Sequence, residues 1–393
     1  MHAFQRNLLH VAALLVAVSL IGCGTPQGES PTEVPSGTGL NVLLISIDTL
    51  RADRLGCYGY QRPTSPSVDA FAKESVRFAQ AITQAPWTTP SHMTLMTSLH
   101  PSSHGVNRSF EEFLAAPDGS GRFRVLSPED LTMAEVFHAN SYATFAITGG
   151  GTMAAELGFG QGFDEFMVLP KGQSMERAWT QLQIWLDRTR ARPFFLFFHT
   201  FEVHAPYSHG EIETSFLGEE QRAQMIEAIE ASETPTDAQQ SFLASQGLLK
   251  PEVTSALYDG GIRFVDTFIG RFFENLRERG LYEHTVIVVL SDHGEAFGEH
   301  DAERFYDAHC DTQYEELIRV PLLVRYPPLK GRGKVVKRPV GLIDVFPTLL
   351  DLLDLEVPAG LQGRSLESLL IGDSDEPSWA VSESTCFGPS VKA

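Results

Sequence analysis

Three nearly continuous apolar segments constrain the fold of this chain more than any other feature of its sequence. They span residues 41–47, 193–198 and 285–290, and Val, Ile, Leu and Phe dominate them. Apolar runs of this length are typical of strands that are buried on both faces of a parallel sheet. Helical patterns lie between them, and this alternation predicts an α/β fold in which helices cover both faces of a mostly parallel sheet.

Weaker patterns extend this prediction along the chain. The further predicted elements are strands at 143–147 and 320–326 and helices at 67–75, 175–189, 253–279 and 343–353. Residues 211–250 are polar and acidic and interrupt the alternation, so we expect a helical excursion or a lid there.

The net charge limits the classes of partner. With 50 Asp and Glu against 30 Lys and Arg, the formal net charge is −20. A general nucleic-acid-binding protein needs clustered Lys and Arg for its phosphate contacts, so we expect no nucleic acid among the partners. Selectivity for any other anion must come from a local arrangement of side chains.

The N-terminus predicts export and a lipid anchor. Arg6 precedes an apolar stretch at 8–21 that is too short to span a membrane comfortably. Residues 20–23, Leu-Ile-Gly-Cys, resemble a bacterial lipobox, which implies that a signal peptide of residues 1–22 is removed and that Cys23 is lipidated. The protein would then be extracytoplasmic and anchored to a bacterial membrane, on the periplasmic face or at the cell surface. An ordinary secretory peptide is the alternative.

Polar side chains follow each of the three apolar segments. Asp48 follows the first, His199 the second, and Ser291-Asp292-His293 the third. The carboxyl ends of parallel strands meet at one edge of a sheet, where α/β folds place their sites. Two carboxylates and an imidazole at that edge predict a site for a divalent metal ion. For each residue alone, helix capping or an ordinary turn is the alternative.

A candidate nucleophile lies between these segments. Thr88 and Thr89 come directly before Pro90, which suits the first turn of a helix. Apolar residues in 91–99 predict a helix with one buried side, namely at Met93, Leu95, Met96 and Leu99. A hydroxyl at a helix N-terminus lies where backbone N–H groups and the helix dipole attract an anion, as attack on a phosphate or sulfate ester requires. A simple N-cap is the alternative.

A series of motifs in consistent order resembles the sulfatase family of the alkaline phosphatase superfamily, over about residues 40–370. The motifs lie at 47–53, 58–60, 64–69, 88–92, 104–106, 162–166, 204–207, 291–295, 298–300, 314–316, 319–322, 344–348 and 363–366. The resemblance implies an alkaline-phosphatase-like three-layer sandwich. It also implies a catalytic domain at 40–370. The segment before it, residues 23–39, is rich in Pro, Gly, Ser, Thr and Glu and is therefore expected to be a flexible tether. Residues 371–393 would be an incomplete C-terminal segment, because a small antiparallel subdomain usually follows in the family. A compact natural variant is the alternative.

The resemblance assigns roles residue by residue. Asp48, Asp292 and His293 match metal ligands, and Thr88 takes the place of the family nucleophile, whose oxygen bridges to the metal. His204 matches a histidine that contacts the ester oxygens or the leaving group. Two further histidines, His300 and His309, fall where related enzymes place substrate-facing His or Lys residues.

The departures from the family pattern bear on the chemistry. Typical sulfatases carry Cys-x-Pro-x-Arg and convert the cysteine to formylglycine, whereas this chain has Thr88 and His92 at those positions. Asp-His at 292–293 and the threonine are instead similar to single-metal phosphotransferases such as phosphoethanolamine transferases. A formylglycine hydrate releases its ester by collapsing to an aldehyde, and a threonine ester has no such route. This difference favours phosphoryl chemistry. The overall pattern of motifs instead favours a sulfatase-like hydrolase. His92 lies one helical turn beyond Thr88, and direct catalysis and orientation of the nucleophile both stay open for it.

These observations predict a metal-dependent hydrolase that cleaves sulfate or phosphate esters through a metal-activated Thr88. The substrate would be a sulfated or phosphorylated small molecule, glycan or lipid head group. We expect one divalent metal ion, with zinc or manganese favoured because imidazole suits borderline metals, and calcium as the further option. The alternatives are a phospho-head-group transferase and an inactive anion-binding surface lipoprotein.

Overall fold

The computed structural model describes most of the chain from residue 37 onward. The described ranges are 37–107, 125–169, 175–189, 192–205, 213–231, 251–300, 306–310, 312–329, 333–372 and 378–383. The predicted signal peptide, Cys23 and nearly all of the tether lie outside them, as do residues 211–212 and 232–250 of the predicted excursion, so these stay predictions. Across the described ranges, no helix combines the length and apolar character needed to cross a membrane.

Nine strands of the described residues form one sheet. They are β1 (Asn41–Ile47), β2 (Val76–Ile82), β3 (Ala143–Gly149), β4 (Glu165–Leu169), β5 (Phe194–Thr200), β6 (Thr285–Leu290), β9 (Arg319–Val320), β10 (Leu322–Arg325) and β11 (Val335–Gly341). Their order across the sheet is β11-β2-β10-β6-β1-β5-β3-β4, and β9 pairs with β2. Two short strands, β7 (Ala296–Phe297) and β8 (Tyr306–Ala308), form a separate pair.

The sheet is mostly parallel, which confirms the prediction. β1 pairs in parallel with β5 and β6, and β3 pairs in parallel with β4 and β5. β10 and β9 are the exceptions, since β10 runs antiparallel to both β6 and β2, and β9 runs antiparallel to β2. The strand predicted at 320–326 is divided at Pro321, whose nitrogen has no hydrogen to donate to a neighbouring strand.

The three apolar segments are the centre of the sheet. Every residue of β1, β5 and β6 is buried. In the register of these strands, Ser46 of β1 lies between His199 of β5 and Leu290 of β6. The residues that follow the three strands therefore emerge next to one another at the same edge.

Helices cover both faces of this sheet. They are α1 (Pro66–Ala72), α2 (Thr88–Thr97), α3 (Pro101–His104), α4 (Met133–Ala139), α5 (Met175–Arg188), α6 (Glu219–Ala231), α7 (Pro251–Glu278), α8 (Glu315–Ile318), α9 (Val345–Leu352) and α10 (Glu367–Ile371). On one face, α1, α5 and α7 share an apolar core with Leu43 and Ile45 of β1. On the other face, Phe137 of α4 stacks on Phe195 of β5 at 4.6 Å. The predicted helices at 67–75, 175–189, 253–279 and 343–353 are confirmed within a few residues.

One helix differs from its prediction. α2 begins at Thr88 rather than at Ser91, and all of its ten residues are buried, not one side only. It lies against the sheet, where the His92 ring meets Phe197 of β5 at 6.0 Å. Its polar residues are therefore buried too, and they must find partners inside the protein.

Candidate active site

The carboxyl edge of the sheet gathers three side chains from distant parts of the chain. Asp48 follows β1 directly, and Asp292 and His293 come within three residues of the end of β6. All three are completely buried. Each offers one ligating atom, and these atoms lie within 4.8 Å of one another.

Each of the two carboxylates keeps one oxygen without a hydrogen-bond partner among the described residues, Oδ1 of Asp48 and Oδ2 of Asp292. The other oxygen of Asp292 accepts backbone N–H bonds from His293 at 2.9 Å and Thr49 at 3.3 Å. Burial raises the pKa of Asp48 to about 6, and burial together with the Asp48 charge raises the pKa of Asp292 as well. Two adjacent buried carboxylates are costly unless a cation neutralises them.

His293 completes this set of ligand atoms. Its Nδ1–H donates to the carbonyl oxygen of Gly294 at 2.8 Å, which leaves Nε2 with a free lone pair. Burial lowers the pKa of His293 well below its ordinary value, so the ring stays neutral. Nε2 lies 3.4 Å from Asp292 Oδ2. Two orphaned carboxylate oxygens and a neutral imidazole nitrogen fit a divalent metal such as zinc or manganese.

Thr88 places its hydroxyl beside these ligand atoms. Its Oγ1 lies 3.3 Å from Asp48 Oδ2 and 3.2 Å from His293 Nε2. The N-cap of α2 is Trp87, so Thr88 is the first helical residue and not a cap. The hydroxyl of Thr89 turns away and donates to the carbonyl oxygen of Thr152 at 3.0 Å. Of the two adjacent hydroxyls, only that of Thr88 contacts the candidate metal ligands.

Two buried side chains anchor the start of α2. Ser91 donates its hydroxyl hydrogen to the carbonyl oxygen of Asp292 at 2.8 Å. His92 Nδ1–H donates to the carbonyl oxygen of Thr88 at 2.9 Å, and its Nε2 lies 2.8 Å from the hydroxyl of Ser46. Burial lowers the pKa of His92 to about 4, so this ring is neutral. His92 therefore contacts the backbone of Thr88, and both of its ring nitrogens are already occupied.

His204 and His309 lie together next to His293. The His309 ring is 4.6 Å from the His293 ring and 5.2 Å from the His204 ring. His204 Nδ1–H donates to the carbonyl oxygen of Ala205 at 2.6 Å. His309 Nδ1 pairs with Glu295 at 3.1 Å, and although burial disfavours the cation, this carboxylate raises the pKa of His309 to about 9. Among the described residues, the hydrogen bonds and ion pairs of both rings involve Nδ1 and not Nε2.

His300 contacts two other side chains, Glu316 and Tyr314. Its Nε2 lies 2.8 Å from Glu316 Oε1, and its ring stacks on Tyr314 with centroids 3.6 Å apart. The side chain is 42% exposed. The described contacts of His300 do not reach Thr88 or the candidate metal ligands.

Sequence reasoning missed two residues that touch the site. Glu295 is buried against His309, and its position two residues after His293 was the available signal. The sequence pattern marks His199 only as a polar residue at the end of a strand. Its Nε2 lies 3.2 Å from Asp48 Oδ2, and burial lowers the pKa of His199 to about 3.

This fold and site define a class of α/β protein that gathers a hydroxyl, two carboxylates and an imidazole at the carboxyl edge of a mostly parallel sheet. Comparison with protein families then identifies the family within this class. The family model described as Sulfatase matches residues 40–355. The chain therefore belongs to the sulfatase family.

Individual relatives are distant. The chain is 25% identical over 389 residues to an ulvan-active sulfatase of Formosa agariphila, with 91% of this chain and 70% of the relative covered. It is 24% identical over 380 residues to an arylsulfatase of Clostridium perfringens, with 84% and 78% covered. A solved phosphonate monoester hydrolase of Agrobacterium radiobacter superposes with a TM-score of 0.64 at 22% identity, over 87% of this chain and 79% of that one. This structural likeness concerns the fold.

Proposed function

We propose that this chain is a metal-dependent hydrolase of sulfate or phosphate esters and that Thr88 is its nucleophile. The observation that carries the proposal is the placement of Thr88 Oγ1 at a helix start, within 3.3 Å of both Asp48 and His293. A helix start favours an anion such as the ester group. Membership of the sulfatase family supports ester hydrolysis.

Asp48, Asp292 and His293 would hold the metal ion, and zinc or manganese suits this donor set better than calcium because one ligand is imidazole. When bound, the ion supplies positive charge that lowers the pKa of a nearby hydroxyl and offsets charge on the ester oxygens.

Side chains of the protein carry out the attack and the proton transfers. The Thr88 oxygen attacks sulfur or phosphorus, and its proton passes to Asp48 Oδ2, 3.3 Å away. The bond to the leaving oxygen breaks, and the imidazolium of His309, or of His204 once it has gained a second proton, gives that oxygen a proton from Nε2. Water then attacks the sulfur or phosphorus of the threonine ester and gives one proton to Nε2 of the histidine that acted as the acid. The bond to the Thr88 oxygen breaks, and sulfate or phosphate is released. Asp48 returns the proton to the Thr88 oxygen.

The substrate class follows from this second step. A threonine ester is released only by attack at sulfur or phosphorus, which is a physical reason to favour phosphoryl substrates. The names of the relatives, an ulvan-active sulfatase and an arylsulfatase, favour sulfate esters. We therefore propose a sulfated or phosphorylated small molecule, glycan or lipid head group as substrate.

We place this enzyme outside the cytoplasm, anchored through lipidated Cys23. The support for this location is the lipobox-like sequence at residues 20–23, after a short apolar stretch.

The proposed function is tested by comparing the hydrolytic activity of two variants, Thr88→Ala and Thr89→Ala. The two hydroxyls are neighbours, but only that of Thr88 contacts the candidate metal ligands, whereas that of Thr89 bonds to Thr152. Substrates would be p-nitrophenyl sulfate, p-nitrophenyl phosphate, bis(p-nitrophenyl) phosphate and a phosphonate monoester, each with Zn²⁺ or Mn²⁺. Thr88→Ala should lower kcat by at least about 10³-fold on any substrate that the wild type cleaves.

Thr89→Ala should keep most of this activity. Mass spectrometry of the peptide that contains Thr88 should detect a sulfo- or phosphothreonine during turnover. Equal activity of Thr88→Ala and wild type, or no cleavage of any of these esters by the metal-loaded wild type, would contradict the proposal.

A further inference from the structure

His199 of β5 is completely buried beside the candidate metal ligands. Its Nε2 lies 3.2 Å from Asp48 Oδ2, and its Nδ1 lies 3.2 Å from the backbone nitrogen of Gly149 in β3. The ring therefore bridges a candidate metal ligand and the backbone of a neighbouring strand.

These two contacts determine where the proton of the ring lies. The backbone nitrogen of Gly149 can only donate, so Nδ1 of His199 must be the unprotonated acceptor. A neutral imidazole then carries its hydrogen on Nε2, where the carboxylate of Asp48 accepts it. The hydrogen bond leaves Oδ1 of Asp48 as the oxygen without a partner among the described residues.

We propose that His199 is a positioning residue that donates a hydrogen bond from Nε2–H to Asp48 and thereby presents Asp48 Oδ1 to the metal ion. The inference rests on the proposed function, because it assumes that Asp48 is a metal ligand. Hydrogen bonds of this kind orient ligands and tune metal affinity.

The same cluster offers a competing role. His92, His199 and Asp292 also have ligating atoms within 4.8 Å of one another, which is a spacing that suits a second metal ion. To ligate through Nε2, His199 would have to move its hydrogen to Nδ1, where it would point at the N–H of Gly149. Both ring nitrogens of His92 are already in hydrogen-bond contact, with Thr88 and Ser46. The hydrogen bonds therefore favour one metal ion with His199 behind Asp48.

The chain contains a matched control in His104. Its Nδ1 also accepts a backbone N–H, from Val106 at 3.0 Å, and its Nε2 lies 3.1 Å from the hydroxyl of Thr94. Like His199 it is buried, but it faces a hydroxyl and not a carboxylate. Substitutions at His104 report the effect on folding of losing a buried neutral histidine. The same substitutions at His199 add the loss of the hydrogen bond to Asp48, so the comparison isolates that hydrogen bond.

The experiment measures Mn²⁺ binding by calorimetry in the full chain, for wild type, His199→Leu, His199→Gln, His104→Leu and His104→Gln, with circular dichroism to verify folding. His199→Leu should bind Mn²⁺ about 10- to 100-fold more weakly. His199→Gln keeps an N–H donor near the position of Nε2 and should recover most of the affinity. Both His104 variants should bind like wild type, and wild type should bind one Mn²⁺ per chain.

A second measurement needs no bound metal and no activity. Long-range nitrogen–proton NMR spectra of histidine-labelled, metal-free protein should show the Nε2–H tautomer for His199, assigned by its loss in His199→Gln. The inference is overturned if His199 shows the Nδ1–H tautomer, or if a folded His199→Leu variant binds Mn²⁺ as tightly as wild type. It is also overturned if the wild type binds two Mn²⁺ per chain and His199→Leu binds one. A wild type that binds no metal ion would instead contradict the proposed function itself.

Discussion

At the scale of single residues, hydrogen-bond direction determines what the buried histidines do. His293 has its hydrogen on Nδ1 and turns a lone pair toward the carboxylates. His199 has the opposite tautomer, because its Nδ1 accepts from a backbone N–H. Residue type alone does not distinguish a metal ligand from a residue that orients one, whereas the backbone groups around each ring do.

His104 carries a prediction for the dependence of stability on pH. Burial lowers its pKa to about 3 in the folded protein, against 6.5 for an ordinary histidine. Between these values the unfolded chain binds a proton that the folded chain does not, so the free energy of unfolding should fall as pH falls from 6.5 toward 3. His104→Gln removes this titration, and its melting temperature should decline less over that interval than that of wild type.

The control for His104 is His284→Gln, because His284 is exposed in the folded protein. Melting temperatures measured by scanning calorimetry at several pH values give the slopes. Parallel slopes for His104→Gln and wild type would show that His104 does not resist protonation in the folded state.

At the scale of elements, burial on both faces decides which strands are predictable. β1, β5 and β6 are central, so their residues are apolar throughout and their prediction is confirmed. β11 at one edge contains Lys337, Arg338 and Pro339, and β2 mixes buried positions with half-buried ones and one exposed one. Neither strand was predicted, since half-exposed strands tolerate polar residues that weaken the apolar signal.

Helix α4 allows a test of one element without touching the candidate site. Thr132 at its N-cap accepts the N–H of Glu135 at 3.2 Å, and Glu135 accepts the N–H of Thr132 at 2.8 Å. Thr132→Ala should lower the free energy of unfolding by about 1 kcal/mol, because it removes this capping oxygen. Urea unfolding is the measurement, and Thr132→Ser should retain most of the stability. Equal losses in the two variants would argue that the methyl group, not the cap, matters.

At the scale of the whole molecule, the sheet joins segments that are far apart in the chain. Asp48 and Asp292 are 244 residues apart in the sequence, yet both offer a ligating atom to the cluster that they form with His293. The net charge of −20 gives no general attraction for an anionic substrate, so the local site must supply it. A helix start, the charged His309 and a bound metal ion would provide that attraction.

The proposed lipid anchor predicts where the whole protein is found in a cell, and this location can be tested. In a bacterial host, the wild type should incorporate labelled palmitate and sediment with membranes, because Cys23 would be lipidated. Cys23→Ser should lose the label and the membrane association, while Cys57→Ser, which changes an unrelated cysteine, should keep both. An unlabelled, freely released wild type would favour the ordinary secretory peptide.

The amino-acid sequence by itself determined the central strands, the α/β class and the position of polar residues at the strand ends. Strands buried on both faces leave continuous apolar runs, and amphipathic helices leave periodic patterns, in neighbouring residues. The tertiary structure decided which of those residues meet and through which atoms. Thr88 rather than Thr89 faces Asp48, His309 pairs with Glu295, and His300 pairs with Glu316. Gly149, 50 positions from His199, decides the tautomer of that ring. Such contacts depend on groups that only folding brings together, so no local pattern records them.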